Sequence, residues 1–225
     1  MVRAPSPAPL PSPASPAAPP VDPGPAATVP GPRRPPAADG TPGRVRWWYE
    51  RVLGWPTEPG TPGGPAAPVR LRTGVRFDVL DVPAEAGHAT LDRTGPAAPA
   101  FPVAVRGGRM LLFVSAGGAE ELPGLLEWLE WGSLALDLTA VGAGGLVDAP
   151  PPPGTGSAGR PPLAGDDGGA QGAARWLRPP DPAHDVEDAL PSLSAIGGSG
   201  APDLARLLHT LATEVHRVRL GRATR

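Results

Sequence analysis

Cysteine is absent from the chain of 225 residues. That excludes disulfides and thiolate metal sites and leaves the redox compartment without a marker. Lysine is absent too, all 20 basic residues being arginine. With the richness in Ala, Gly and Pro this is the mark of a GC-rich genome, and it weakens functional arguments built on arginine alone. An excess of charge of one sign is also missing. A formal net charge of -2 gives no whole-molecule attraction to phosphate backbones, so any nucleic-acid binding has to be local. No apolar run approaches the roughly 18 residues that span a bilayer. Nor does a basic start followed by an apolar segment open the chain, because proline recurs every few residues from Pro5 onward. A soluble, cytoplasmic protein without a membrane partner is expected.

What the chain does have is 36 Pro and 31 Gly, far above ordinary usage, so the ordered core is smaller than the length suggests. Large apolar residues gather over 45–147, with a second cluster near the C-terminus. Residues 1–41 are Pro, Ala and Ser with almost no large side chains, and are expected to be a disordered tail. Such a tail is either a solvated linker or a docking segment for a proline-binding protein partner. The expected layout is one domain over 43–178, with a low-complexity loop at 150–173, then a C-terminal extension over 179–225 that carries one amphipathic helix.

Within the domain, Val45, Trp48, Tyr49, Val52 and Leu53 share one helical stripe that Gly54 and Pro56 close. Trp48 lies on that stripe, which leaves Trp47 as the candidate for stacking on a base. Strands are expected at 69–71 and 75–82, and a short helix at 84–91. A hairpin follows from Val103–Arg106 and 109–114 through Gly107-Gly108. Leu122, Leu125, Leu126 and Leu129 mark a helix that Pro123 should start, and 134–141 and 146–149 read as a second hairpin. The last helix runs over about 202–219, with Leu204, Leu207, Leu208, Leu211 and Val215 on one face and arginines at its end. This order predicts an α+β fold, a mainly antiparallel sheet flanked by helices.

The stretch Gly74-Val-Arg-Phe-Asp-Val-Leu-Asp-Val-Pro-Ala-Glu-Ala-Gly87 reads as a strand that delivers Asp81 to its end. Phe77, Val79 and Asp81 fall on one face and Asp78, Leu80 and Val82 on the other. Elsewhere the residues offer little chemistry. His209 and His216 share a face of the last helix, but no acid completes a metal set with them or with His88 and His184. Ser115 and Thr139 have no base beside them, and Gly142-Ala-Gly-Gly145 reads as a turn rather than a phosphate loop.

Taken together, Trp48-Tyr-Glu-Arg-Val-Leu-Gly-Trp-Pro56, the stretch around Asp81 and the run Pro150 to Pro153 resemble a known family. It comprises the actinobacterial proteins carrying a domain similar to the N-terminal domain of bifunctional DNA primase/polymerases, in the archaeo-eukaryotic primase superfamily. The resemblance covers about 45–177 and implies a primase/polymerase-like fold. In active members, two acids stand one residue apart on the first strand. A histidine follows Gly-Gly-Arg on the hairpin, and a third acid precedes the Pro-Pro run.

Carboxylates at i and i+2 point the same way and chelate the divalent ions, Mg2+ or Mn2+, that nucleotidyl transfer needs. By the resemblance Asp81 matches the first acid, Asp137 the third, and Arg109 a nucleotide-binding position. Pro83 stands where the second acid belongs and Met110 where the histidine belongs. Asp78 on the opposite face and Glu85 beyond the proline do not restore the pair. The resemblance therefore implies a domain without catalysis, retained to bind a nucleotide, a nucleic acid or a protein partner, with Asp81, Arg109 and Asp137 in a vestigial cleft. An active nucleotidyltransferase with rearranged acids, and a structural adaptor acting through the Pro-rich tail, are the alternatives.

Overall fold

The strand that carries Asp81 lies inside a five-stranded sheet, second from one edge. In the computed structural model, which describes residues 42–59, 68–95, 100–154, 173–193 and 203–224, the elements begin with α1 (Pro42–Trp47) and a π-helical turn at Trp48–Val52. Then come β1 (Arg70–Arg72), β2 (Phe77–Pro83), α2 (Ala84–Thr94), β3 (Val103–Arg106), β4 (Arg109–Ser115) and α3 (Gly118–Trp128). The chain continues through β5 (Thr139–Val141), β6 (Leu146–Asp148), β7 (Arg175–Arg178), a 3-10 turn at Glu187–Ala189 and α4 (Leu204–Ala223). The main sheet has the order β5-β2-β4-β3-β7, while β1 and β6 form a separate two-stranded ribbon. Every strand pairing is antiparallel. The fold is α+β, as the element order predicts.

Both faces of β2 are covered, so all of its residues except Asp81 are buried. On one face Leu80, Val82, Met110, Leu112 and Val114 pack against α2, α3 and α4. The α4 stripe is fully engaged there: Leu204, Leu207, Leu208, Leu211 and Val215 are all buried. The segment expected as an extension beyond 178 thus contributes a helix to the same core. On the other face Phe77, Val79, Leu111 and Phe113 pack under Tyr49, Leu53 and Trp55, Leu71 and Val147 of the ribbon, and Val186 and Leu190. Aromatic rings run continuously across this side. Trp55 lies 4.3 Å from Phe77 and 5.4 Å from Phe113, and Trp176 of β7 lies 5.1 Å from Phe113.

Several local expectations shift. The stripe from Val45 to Leu53 is broken by the π-turn, closed by Leu53 N–H donating to the Trp48 carbonyl at 3.2 Å. The wider turn changes the helical phase, so Tyr49 and Leu53 are buried while Val52 turns outward. Gly54 takes the left-handed conformation expected of it, at φ 68°. Val75 is exposed and precedes β2 rather than opening it. Pro123 lies inside α3, not at its start.

The cause of that last difference is distant in sequence. The Asp78 carboxylate accepts from Gly117 N–H at 2.8 Å and Ala119 N–H at 3.0 Å, capping the helix a turn earlier than its own residues suggest. Residues 146–149 do not return as the second half of a hairpin. β5 pairs with β2 and β6 with β1. The Gly142–Gly145 turn is instead held to the ribbon's approach by Thr73, whose hydroxyl donates to the Gly142 carbonyl and whose N–H donates to Gly145. Expectations for the tail (1–41) and for most of the loop (155–172) lie outside the described residues.

No helix among the described residues is long and apolar enough to cross a membrane.

Candidate functional site

The aromatic face of the sheet ends in charge. Along β2 the pattern Phe77, Val79, Asp81 turns from apolar to acidic, and along β4 the same face reads Phe113, Leu111, Arg109. Asp81 is directly opposite Leu111, which makes Arg109 its diagonal neighbour, within reach of a long side chain. Arg109 uses that reach twice: its Nε donates to Asp81 Oδ1 at 2.6 Å and its Nη2 to the Asp81 carbonyl at 3.0 Å. Its Nη1 donates to Asp137 Oδ1 at 2.6 Å. Three of the expected site residues, Asp81, Arg109 and Asp137, therefore meet.

Two further residues complete the network. Arg106 faces Arg109 across the Gly107-Gly108 turn. Its Nη2 stands 3.6 Å from Asp81 Oδ2 and its Nη1 donates to Asp148 Oδ2 at 3.2 Å. Arg106 was within reach of sequence reasoning, since residues flanking a two-residue hairpin turn share a face. Asp148 was not, because its position depends on β6 pairing with β1 across a long stretch of chain. The chain of contacts is Asp137, Arg109, Asp81, Arg106, Asp148: three carboxylates against two guanidiniums.

Burial grades along it. The Asp81 side chain is 15% exposed and that of Arg109 30%, while that of Asp137 is 49% exposed. Burial draws the Arg109 pKa down, but its hydrogen bonds to Asp137 and Asp81, with their charges, outweigh this and hold it above its ordinary value. Arg109 is thus a permanent cation locked on the sheet.

Asp137 stands on the loop before β5, not on a strand as its alternation with leucines suggested. Met110 pairs with Val82 and is buried on the opposite face, among the helices. A side chain at that position faces away from Asp81, so its identity does not by itself empty the cluster. Pro83 is buried where the strand passes into α2, opposite Arg109. Asp78 caps α3, and Glu85 is exposed with the Arg222 guanidinium 3.9 Å away; neither carboxylate joins Asp81.

The other candidates stand apart. Trp47 is half-buried in α1. His209 and His216 do share a face, and between them sits Trp131, with ring centroids at 6.2 and 6.0 Å. His88 is exposed, and His184 pairs with Asp181 at 2.9 Å.

The donor set does not fit a divalent ion as it stands. Mg2+ requires about six oxygen ligands in near-ideal octahedral array, whereas Arg109 and Arg106 face the two Asp81 carboxylate oxygens and Arg109 also holds Asp137. A cation placed there would meet two fixed positive charges. Among the described residues no group of three or more His, Asp or Glu is arranged to hold a metal. What the arrangement does offer is a pair of oriented guanidiniums, the donor geometry that suits carboxylates and phosphates.

No family model, curated protein or solved structure matches the chain.

Proposed function

We propose that this chain is a DNA primase/polymerase-like domain protein that has lost nucleotidyl transfer and is retained as a binding module, with the phosphates of a nucleotide as its ligand. One observation carries the reading. The two acids that the resemblance assigns to metal binding, Asp81 and Asp137, are both held by Arg109, and the i+2 position that should supply another acid is Pro83. Carboxylates already paired with a guanidinium have little capacity for Mg2+ or Mn2+, while Arg109 and Arg106, side by side on one sheet face, supply what an oxyanion needs where it displaces a carboxylate paired with them. The resemblance itself rests on the sequence motifs, and the network supports only the loss of catalysis and the choice of ligand.

The test is a titration of the full chain with a nucleoside triphosphate, with and without magnesium, read as melting temperature. A ligand that binds the folded state raises it, and the rise is expected to be the same without the metal. No shift at millimolar nucleotide would remove the binding reading. Template-dependent or template-independent extension that is lost on Asp81→Ala would replace it with an active nucleotidyltransferase.

A further inference from the structure

Arg109 is held from two sides that differ in kind. Two of its nitrogens, Nε and Nη2, are fixed by Asp81, through the carboxylate at 2.6 Å and the carbonyl at 3.0 Å. Both acceptors belong to one residue of β2: the carbonyl is part of the paired backbone, and the carboxylate is mostly buried and also faces Arg106. The third contact, Nη1 to Asp137, is made to an exposed side chain on the loop ahead of β5. That loop is anchored independently of Asp137. Upstream of it Trp131 lies between His209 and His216, and Arg219 donates to the Ala135 carbonyl. Downstream, Thr139 pairs with Asp81 in β5. A rotation of the Asp137 side chain alone therefore uncovers Arg109, with the loop still in place and the guanidinium still oriented by Asp81.

We infer that Asp137 is an internal anion that occupies the outward edge of Arg109 in place of a phosphate group, so that ligand binding at this site proceeds by displacement of its carboxylate. The inference rests on the proposed reading of the site as a phosphate-binding cleft and concerns how that cleft is regulated. Carboxylate and phosphate oxygens satisfy the same guanidinium edge with similar geometry, so the two compete for Nη1, and their like charges oppose joint occupancy. Arg106 flanks the position from the neighbouring strand and is itself restrained by Asp81 and Asp148. Asp148 is paired with Arg106 and not with Arg109, so Asp137 is the outer acid that covers the Arg109 edge. This role is opposite in sign to that of a metal-ligating acid. A metal ligand strengthens phosphate binding when present, and an internal anion weakens it.

The experiment titrates inorganic tripolyphosphate, without divalent metal, into the full chain and into Asp137→Ala, Asp137→Asn and Glu130→Gln, by calorimetry at fixed low salt. An exposed ion pair favours its closed form by about 1.4- to fivefold, and the apparent affinity of a blocked site falls by a similar factor. Both Asp137 variants are therefore expected to bind more tightly than the parent chain, by up to about fivefold. Glu130→Gln removes the same charge from an exposed position on the same loop and should bind like the parent. Unchanged, weaker or absent binding by both Asp137 variants would overturn the inference, as would an equal gain in Glu130→Gln, which would reduce the effect to a general field. If the parent chain binds no nucleotide but the Asp137 variants bind tripolyphosphate, the displacement mechanism stands and the function proposed for the parent chain fails. If the parent binds and the Asp137 variants gain nothing, the reverse holds.

Discussion

Replacing Arg109 by Met separates the two halves of the charge network by their energies. Met keeps the length and apolar stem of the side chain but removes every donor, so Asp81 loses the hydrogen bonds at 2.6 and 3.0 Å to its carboxylate and carbonyl. Stranding one partner of a fully buried pair costs about 3–5 kcal/mol, and breaking an exposed pair about 0.2–1 kcal/mol. Asp81 lies between these limits. Its side chain is 15% exposed, and the Arg106 guanidinium remains 3.6 Å from its other oxygen, so a loss of about 2 kcal/mol is expected. The Arg109–Asp137 contact, with Asp137 49% exposed, belongs to the weaker class, and Asp137→Ala should cost under about 1 kcal/mol. Urea unfolding at neutral pH is the assay. With a slope of about 2 kcal/mol per molar, Arg109→Met should lower the midpoint by about 1 M and Asp137→Ala by less than half of that. Adding Asp81→Asn to Arg109→Met should recover part of the loss, because the stranded charge is then gone. Equal midpoints for the Arg109 and Asp137 single variants would refute the claim that one side of Arg109 is fixed and the other displaceable.

Asp78 sets burial and a neighbouring charge against a helix N-terminus. Burial, with Glu120 nearby, raises its pKa above 3.8, although the Ala119 and Gly117 amides pull it down. The folded state therefore holds its proton to higher pH than the unfolded chain. Asp78 stabilises most below the unfolded value, and its contribution falls as pH rises through the window up to the folded value. The stability of the parent chain relative to Asp78→Asn should accordingly decline from about pH 4 upward, in denaturation series at several pH values; a relative rise would mean that the helix dipole prevails. Asp78→Ala, which removes the cap altogether, should cost about 1–2 kcal/mol. Gly74→Ala should cost at least about 2 kcal/mol in thermal unfolding, because φ is 80° there and the added Cβ would stand 2.2 Å from the Ala143 Cα. Near-parental stability would show that the Gly74 and Ala143 backbones can separate.

The correspondence between sequence and structure follows the range of the interactions. The Gly107-Gly108 hairpin, the α2 start after Pro83 and the buried face of α4 depend on residues a few positions apart, and all three appear where periodicity and turn chemistry put them. Asp81 reaches the end of its strand face for the same reason. Pro123 misled because its own effect is local, whereas α3 is capped by Asp78 from a distant strand. The glycine turn at 142–145 misled because a tight turn suggests a hairpin, yet its flanking strands found partners in different sheets. For Met110, standing next to Arg109 in the chain did not mean sharing its face: strand alternation turns it toward the helices, while Arg109 points to Asp81.

By itself, then, the sequence determined the α+β class, the antiparallel hairpin and the acid at the end of its strand, because hydrophobic period and turn residues act within a few residues of themselves. Only the tertiary structure decided that this acid would be neutralised. The two arginines of the hairpin reach Asp81, and through them Asp137 from a loop and Asp148 from the ribbon join the same network, by pairings between segments far apart in the chain. Whether a carboxylate is free for a metal or already held by a guanidinium depends on such neighbours, and no local pattern encodes them.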